Sequence, residues 1–307
     1  MKIGIVGTGA VGGFIGAKLA LNNHQVVFLS RGKILQALQK QGLRFESQAQ
    51  EYQITAEQHR AIFTDDPKNL QDCDFIFITV KSYDTQAAAE QIQDSVSAKT
   101  VIITPQNGIH NDVILQGIFG KDKIIPGMAK IGTAMPEPGL VKHTRLGILT
   151  LGEYSGEEST RLLQIQQLLT EAGIECLLSL LIQKKRWTKY TWNCTFNIVA
   201  AITELNLAQI LANPALVKVC EEVIKEIVAV AQAKGIDLEL DEVLTASFAL
   251  AEKLGEFKPS TLEDVEKGKP IELDAFTGQV IKYGQECEVE TPRNEVLYGL
   301  LAGKVGR

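Results

Sequence analysis

The chain has 307 residues, 45% of them hydrophobic and 22% charged, with a net charge of −6. Its length and apolar content allow a full core and point to two domains, and its acidic balance argues against nucleic acid or an anionic membrane as main partner. No apolar stretch is long enough to span a bilayer, the N-terminus lacks a signal-peptide plan, and five scattered cysteines without a Cys-x-x-Cys (Cys73, Cys176, Cys194, Cys220, Cys287) indicate neither a disulfide framework nor a zinc site. A cytoplasmic protein is expected, with its cysteines acting as small buried apolar residues.

The first element is a strand over 2–6, Lys2-Ile3-Gly4-Ile5-Val6, which runs directly into Gly7-Thr8-Gly9-Ala10-Val11-Gly12 and then a helix over 10–22. Each glycine has its own expected role. Gly7 permits the tight turn, Gly9 lets backbone approach a pyrophosphate, and Gly12 lets the helix pack on the strand. The helix N-terminus supplies N–H groups and a positive dipole end. Placed between strand and helix, this glycine run points to a dinucleotide site. The helix is expected to present Val11, Ile15, Leu19 and Ala20 on one face.

A second strand over 25–29 ends in Ser30-Arg31-Gly32-Lys33, without the acid that binds a ribose 2′-hydroxyl in an NAD site. A serine followed by two cations suits a 2′-phosphate, with Arg31 as a planar fork and Lys33 as a point charge. This favours NADP(H), and the alternative is a solvated basic loop. Further strands are expected over 74–80, 100–104, 124–128 and 147–152, with 133–152 forming an antiparallel meander that closes the sheet. The strand at 74–80 delivers Lys81 at its C-terminal end, where ligands sit in doubly wound sheets. The next strand delivers Asn107, which would pair with a nicotinamide carboxamide or a substrate oxygen. Asn107-Gly108 is equally a turn dipeptide.

Alternating strands and helices imply right-handed crossovers and a mostly parallel sheet. The fold class expected is therefore α/β: an N-terminal Rossmann dinucleotide-binding domain over 1–180, then an all-helical C-terminal domain over 181–307. Helices are expected over 184–202, 206–212, 214–235, 240–254, 270–285 and 292–303. Thr291-Pro292 reads as an N-cap followed by proline at the first helical position. Within the first of these helices Lys189, Asn193 and Asn197 fall at i, i+4 and i+8, one stripe down one face. Trp187, Trp192, Phe196, Ile198 and Val199 surround them, so buried amides there need partners. A lysine and two amides in register can donate to a carboxylate and a carbonyl. The other reading is a solvated or interhelical polar face.

Taken together, these residues resemble the ketopantoate reductase (2-dehydropantoate 2-reductase) family over nearly the whole length. The carriers are the Gly7–Gly12 loop, Arg31, Thr79-Val80-Lys81, Gln106-Asn107-Gly108, Lys189 with Asn193 and Asn197, and Lys258-Pro259-Ser260-Thr261-Leu262-Glu263-Asp264-Val265 continuing to Asp274. The resemblance implies NADPH bound by the Rossmann domain and a helical domain that closes a cleft over the substrate. It maps the catalytic lysine onto Lys189 and the substrate-side glutamate, also a cofactor-contact candidate, onto Glu272. Asn193, Asn197 and Ser260 map as substrate contacts. Lys81 and Asn107 map as polar positions of the cofactor domain, Asn107 serving cofactor and substrate alike. Ile198 stands where members often have proline, and Phe257 where some have asparagine near the substrate.

The implied reaction is NADPH-dependent reduction of 2-dehydropantoate to pantoate, a step of pantothenate and coenzyme A synthesis. Hydride addition to a carbonyl builds charge on its oxygen, which a proton-delivering cation stabilises. A lysine desolvated by apolar neighbours fits that role. Glu272 would hold the lysine's proton or bind the substrate hydroxyl, against the plain alternative of a solvated helix-start carboxylate. His24, His59, His110 and His143 all precede the helical half, so a histidine acid is less favoured, with His110 near Asn107 as the remaining alternative. No metal site is expected. Rival readings are a reductase of another 2-oxo acid or an imine, and a dinucleotide sensor without chemistry. No nucleic acid or membrane partner is expected, and exposed apolar stripes in the helical domain allow a homodimer.

Overall fold

The computed structural model describes residues 1–306. They divide into two compact units, Met1–Asn107 with Asn111–Ile182, and Gly108–His110 with Gln183 onward.

The first unit is built on strands β1 (Lys2–Val6), β2 (Gln25–Leu29), β3 (Leu43–Ser47), β4 (Gln50–Ile54), β5 (Ala61–Thr64), β6 (Phe75–Ile78), β7 (Val101–Thr104), β8 (Ile124–Glu137), β9 (Leu140–Leu151) and β10 (Glu175–Leu178). Their order is β4-β3-β9-β8-β7-β6-β1-β2-β5, with β10 alongside β9. Six of them, β5-β2-β1-β6-β7-β8, pair in parallel. Helices α1 (Ala10–Leu21), α2 (Gly32–Gln41), the single turn α3 (Ala56–His59), α4 (Thr85–Ile92), α5 (Asn111–Phe119) and α6 (Thr160–Glu171) connect the strands. Chain order reverses at β1, between β2 on one side and β6 on the other. That is the switch point where open α/β sheets place their ligands.

The closing meander is larger than 133–152. It comprises the whole of β8 and β9, antiparallel with irregular register at three places. Between β2 and β5 the chain also forms a hairpin, β3–β4, that the turn chemistry hides. Its two-residue turn is Gln48-Ala49, at φ 51° and 63°. Such turns ordinarily carry Asn-Gly or Asp-Gly, so Leu43-Arg44-Phe45-Glu46-Ser47 gave no hairpin signal despite its alternation. Helix α1 is not amphipathic in the expected sense. Val11 is half-buried, Ile15, Leu19 and Ala20 are buried, and so are Phe14 and Ala17 on other faces. The helix packs against β1, β2, β3, β4, β8 and β9, so the meander covers the side that would otherwise face water.

The second unit is helical: α7 (Ile182–Trp192), α8 (Ile198–Thr203), α9 (Leu207–Leu211), α10 (Pro214–Ala233), α11 (Leu240–Leu254), α12 (Ser260–Glu266), α13 (Gln279–Glu286) and α14 (Pro292–Val305). Helix α10 is its spine, burying Cys220, Val223, Ile224, Ile227, Val228, Val230 and Ala231. The helix expected over 184–202 is not continuous, because Asn193–Asn197 is a π-helical turn between α7 and α8. The helix expected over 270–285 is corrected likewise. Residues 270–272 are irregular, Asp274–Gly278 is a second π turn with Phe276 off helical geometry, and only then does α13 begin. Apolar periodicity does not distinguish a π turn from the α-helix it interrupts.

Gly108–His110 joins this unit although it lies between two residues of the sheet unit. Ile109 is buried in the helical core, Arg186 Nη2 donates to the Gly108 carbonyl at 3.5 Å, and His110 Nδ1 lies 2.8 Å from the Tyr283 hydroxyl. His110 therefore belongs with the helical half, a correction to its place in the sequence. Cys73, Cys176, Cys194 and Cys220 are buried and Cys287 is half-buried. Burial pushes the thiols of Cys73, Cys176 and Cys220 up to about 12. Among the described residues, no helix is long and apolar enough to cross a membrane, and no group of three metal-ligating side chains assembles.

Thr291 occupies the N-cap position of α14 and Pro292 follows it, but the Thr291 side chain makes no capping bond. The free N–H groups are met by Glu226 of α10. One of its oxygens accepts from the Arg293 N–H at 2.9 Å, and the other from the Asn294 N–H at 3.0 Å and the Asn294 side-chain amide at 2.8 Å. A carboxylate at a helix N-terminus also meets the positive dipole end. Glu226→Ala should lower unfolding free energy by about 2 kcal/mol, because the first-turn N–H groups and the amide of buried Asn294 lose a charged acceptor, whereas Thr291→Val should change it by less than about 0.5 kcal/mol. Urea denaturation of the two variants checks this, and the reverse ranking would show that the threonine is the true cap.

Candidate functional site

The sheet unit assembles its site at the C-terminal ends of β1, β6 and β7. Gly7 takes φ +95°, a left-handed conformation glycine adopts without strain, and a β-carbon there would lie 2.6 Å from Val80 Cγ1. Gly12 is constrained by contact. A β-carbon would meet the Gly7 carbonyl oxygen at 2.3 Å and Thr79 Oγ1 at 2.4 Å. Gly9 meets nothing within 4 Å, so the protein itself does not require a glycine there. An open approach at the N-terminus of α1 is what a pyrophosphate needs. Gly9 caps that helix with no side-chain bond, and its first turn carries no acid. Ala10 and Val11, in the first turn, are half-buried.

Thr8 is buried, and its hydroxyl accepts from Ser30 Oγ at 2.6 Å. Thr79 Oγ1 donates to the Gly7 carbonyl at 2.8 Å and contacts the Val6 carbonyl at 3.1 Å. Strand β2 thus holds the glycine turn from one side and the end of β6 holds it from the other.

A buried polar lattice joins the next two strand ends. Gln106 Nε2 donates to the Val80 carbonyl at 2.7 Å and to Thr85 Oγ1 at 2.9 Å, and its Oε1 accepts from Thr104 at 2.9 Å. Thr85 donates to Asn111 Oδ1 at 2.9 Å. Asn111 Nδ2 donates to the Asn107 carbonyl at 2.6 Å and to Ser82 Oγ at 3.2 Å, and Ser82 Oγ donates to the same carbonyl at 3.2 Å. Every side chain of this lattice is at least nine-tenths buried. It fixes the segments that present Lys81, which is exposed, and Asn107, which is half-buried. Thr104, Gln106, Thr85, Asn111 and Ser82 are positioning residues that sequence reasoning missed, apart from quoting Gln106. Their signal was short polar residues just beyond two apolar strands. Gly108 at φ +88° makes the turn that Asn107-Gly108 announces, so the turn and the positioning of Asn107 coexist.

Arg31 is largely exposed, its side chain 78% accessible, and Nη2 donates to Asp84 Oδ1 at 2.7 Å. The basic loop after β2 is therefore paired with an acid from the turn before α4. Gly32 has open space around it and Lys33 is exposed.

In the helical unit, Lys189 is half-buried on α7, and Asn193 and Asn197 are buried on the π turn that follows. The extra residue per turn alters the i, i+4, i+8 stripe but keeps the amides adjacent, Asn197 Nδ2 donating to Asn193 Oδ1 at 3.3 Å. Asn197 Oδ1 is buried without a hydrogen-bond partner. The first π turn packs against both the second π turn and α12. The Tyr190 hydroxyl donates to the Phe276 carbonyl, tying α7 to the second π turn. Glu272, just before that turn, is 8% exposed. It stands at the start of that turn, its carbonyl accepting from the Phe276 N–H at 3.1 Å, but it is buried rather than solvated. Ser260, the first residue of α12, is exposed. Phe257 is half-buried and Ile198 fully buried.

Six parallel strands with a glycine turn at the switch point, joined to a helical unit, define a Rossmann-like dinucleotide fold with a helical C-terminal part. Residues 3–156 match the family model described as ketopantoate reductase PanE/ApbA, and residues 181–305 match the model of its C-terminal part. The chain belongs to the ketopantoate reductase family. It is 30% identical to a 2-dehydropantoate 2-reductase of Pyrococcus horikoshii over 99% of this chain and 97% of that one. A PanE/ApbA family ketopantoate reductase from Ralstonia eutropha superposes with a TM-score of 0.90 at 28% identity, covering 100% and 99% of the two chains. A D-mandelate dehydrogenase solved with NADH and anilino(oxo)acetate shares the fold, at TM-score 0.90 and 22% identity, with 100% and 98% covered.

Gly9 and Gly12 should part company when substituted. Gly9→Ala should leave unfolding free energy within about 0.5 kcal/mol of the parent while weakening dinucleotide binding about tenfold or more, the effect of an added methyl at a close contact. Gly12→Ala should destabilise the fold by about 1–3 kcal/mol. Thermal unfolding beside a fluorescence titration with NADPH separates them. Undiminished NADPH binding by the Gly9 variant would remove the glycine turn from the binding site.

Proposed function

We propose that this chain reduces 2-dehydropantoate to pantoate, with NADPH as reductant and Lys189 as general acid. Membership of the ketopantoate reductase family supports the reaction. The observation that carries the assignment of roles is that the π turn bearing Asn193 and Asn197 packs against the second π turn, to which α7, the helix of Lys189, is tied by Tyr190 and which Glu272 directly precedes, with three of these four residues buried.

The residues of the glycine turn fit a dinucleotide. Gly9 leaves room beside the uncapped start of α1, whose N–H groups suit a pyrophosphate. Gly7, Thr8, Ala10, Val11 and Gly12 shape that turn. Lys81, Asn107 and Glu272 complete the polar set assigned to the cofactor. Arg31, with no acid at the end of β2, supports NADPH over NADH. When bound, the reduced nicotinamide supplies the hydride.

The chain's own groups supply the rest. As the carbonyl carbon of the 2-oxo acid becomes tetrahedral, its oxygen gains negative charge. Lys189 hydrogen-bonds that oxygen and delivers the proton, and the product is the 2-hydroxy acid. The Lys189 cation also favours the substrate carboxylate. Asn107, Asn193 and Ser260 orient that carboxylate and the carbonyl. The unpartnered Asn197 Oδ1 is a buried acceptor for a substrate hydroxyl, and filling it removes an unmet polar group. Glu272, buried beside the second π turn, accepts from the same hydroxyl or holds the lysine's proton. The acceptor roles of Asn197 and Glu272 toward that hydroxyl require an alcohol donor on the substrate.

Wild type should consume NADPH with 2-dehydropantoate, followed by absorbance. Lys189→Ala should lower kcat by about 10²–10⁴-fold, the range of general-acid catalysis. Asn197→Ala should mainly raise KM. Wild type that binds NADPH yet leaves 2-dehydropantoate untouched would overturn the substrate assignment. A Lys189 variant of normal kcat would overturn the mechanism.

A further inference from the structure

Arg31 is the residue on which the choice of NADPH rests, and it is already paired. Its Nη2 donates to Asp84 Oδ1 at 2.7 Å, and the two residues lie 53 positions apart in sequence. Asp84 closes the short turn Ser82–Asp84 beyond β6, in the segment held by the buried lattice, and its side chain is one-third exposed. It sits at the N-cap position of α4 but makes no capping bond there. Its carboxylate is therefore not engaged by the helix it precedes, while an oxygen of it meets the guanidinium of the loop after β2.

We infer that Asp84 is a specificity-determining residue that weakens this chain's discrimination in favour of a 2′-phosphate. The inference rests on the dinucleotide reading given above. A 2′-phosphate carries nearly two negative charges near neutral pH. To be held by the Arg31 fork it must share the guanidinium with a carboxylate within a few ångströms, and like charges at that distance repel even in water-like surroundings. A ribose with a free 2′-hydroxyl meets the opposite situation. A carboxylate is the acceptor that such a hydroxyl uses in NAD sites, where it comes from the end of the second strand. Here that strand end lacks an acid, and Asp84 brings one to the same cation from the turn beyond β6. The pair Arg31–Asp84 thus offers a cation for the phosphorylated ribose and an acceptor for the other.

The test uses the whole protein and compares equilibrium binding of adenosine 2′,5′-bisphosphate and adenosine 5′-monophosphate by calorimetry, in wild type, Asp84→Asn and Arg31→Ala. Asp84→Asn keeps the shape and removes the charge. It should tighten the bisphosphate about tenfold, without tightening the monophosphate, and the NADPH-to-NADH ratio of dissociation constants should move the same way. Arg31→Ala should weaken the bisphosphate and leave the monophosphate nearly unchanged. An unchanged or reduced preference for the bisphosphate in Asp84→Asn, with binding intact, would overturn this inference alone. Failure of wild type to bind any of the four nucleotides would overturn the dinucleotide reading and this inference with it.

Discussion

A β-carbon on Gly12 would lie 2.3 Å from the Gly7 carbonyl oxygen and 2.4 Å from Thr79 Oγ1. Helix α1 can start where it does only because that position has no side chain, and much else follows from this approach. It sets the helix N-terminus directly over the end of β1, where its free N–H groups and dipole act on anything at the switch point. It also places the helix deep enough for β8 and β9 to cover its far side. The chain supplies Phe14 and Ala17 for that burial.

Holding strand ends in place is the second theme. The apolar strands β6 and β7 end in loops that carry polar functional groups, and loops are ordinarily mobile. Here five buried polar side chains, Thr104, Gln106, Thr85, Asn111 and Ser82, bond to one another and to the Val80 and Asn107 carbonyls. A fully satisfied buried network of this kind rigidifies its surroundings. The helical unit uses another device for the same end. It interrupts its helices with π turns, which bring Asn193, Asn197 and the segment after Glu272 together at a place where regular α-helices would continue past one another.

The parts legible in sequence are those governed by local rules. Strand β1 with its glycine turn, the parallel sheet, and helices α10, α11 and α14 follow from apolar runs, periodicity and flanking proline or glycine. Lys189, Asn193, Asn197 and Glu272 were named from spacing and resemblance. What stayed hidden depends on residues far apart or on backbone irregularity. Glu226 caps a helix that begins 66 positions later, at Pro292. Asp84 meets Arg31 across 53 positions. The β3–β4 hairpin turns on Gln48-Ala49, which carry no turn signature. The π turns have the apolar pattern of ordinary helix, and the burial of Glu272 depends on one of them.

Isotope labelling reads the transfer of the hydride directly. Incubating the protein with 2-dehydropantoate and NADPH deuterated at the transferable C4 position, then analysing the product by mass spectrometry, follows the atom rather than the absorbance. The expected product is pantoate carrying one deuterium at C2, with loss of the label from the nucleotide. Pantoate formed without the label, or oxidation of the nucleotide with no pantoate formed, would contradict that transfer.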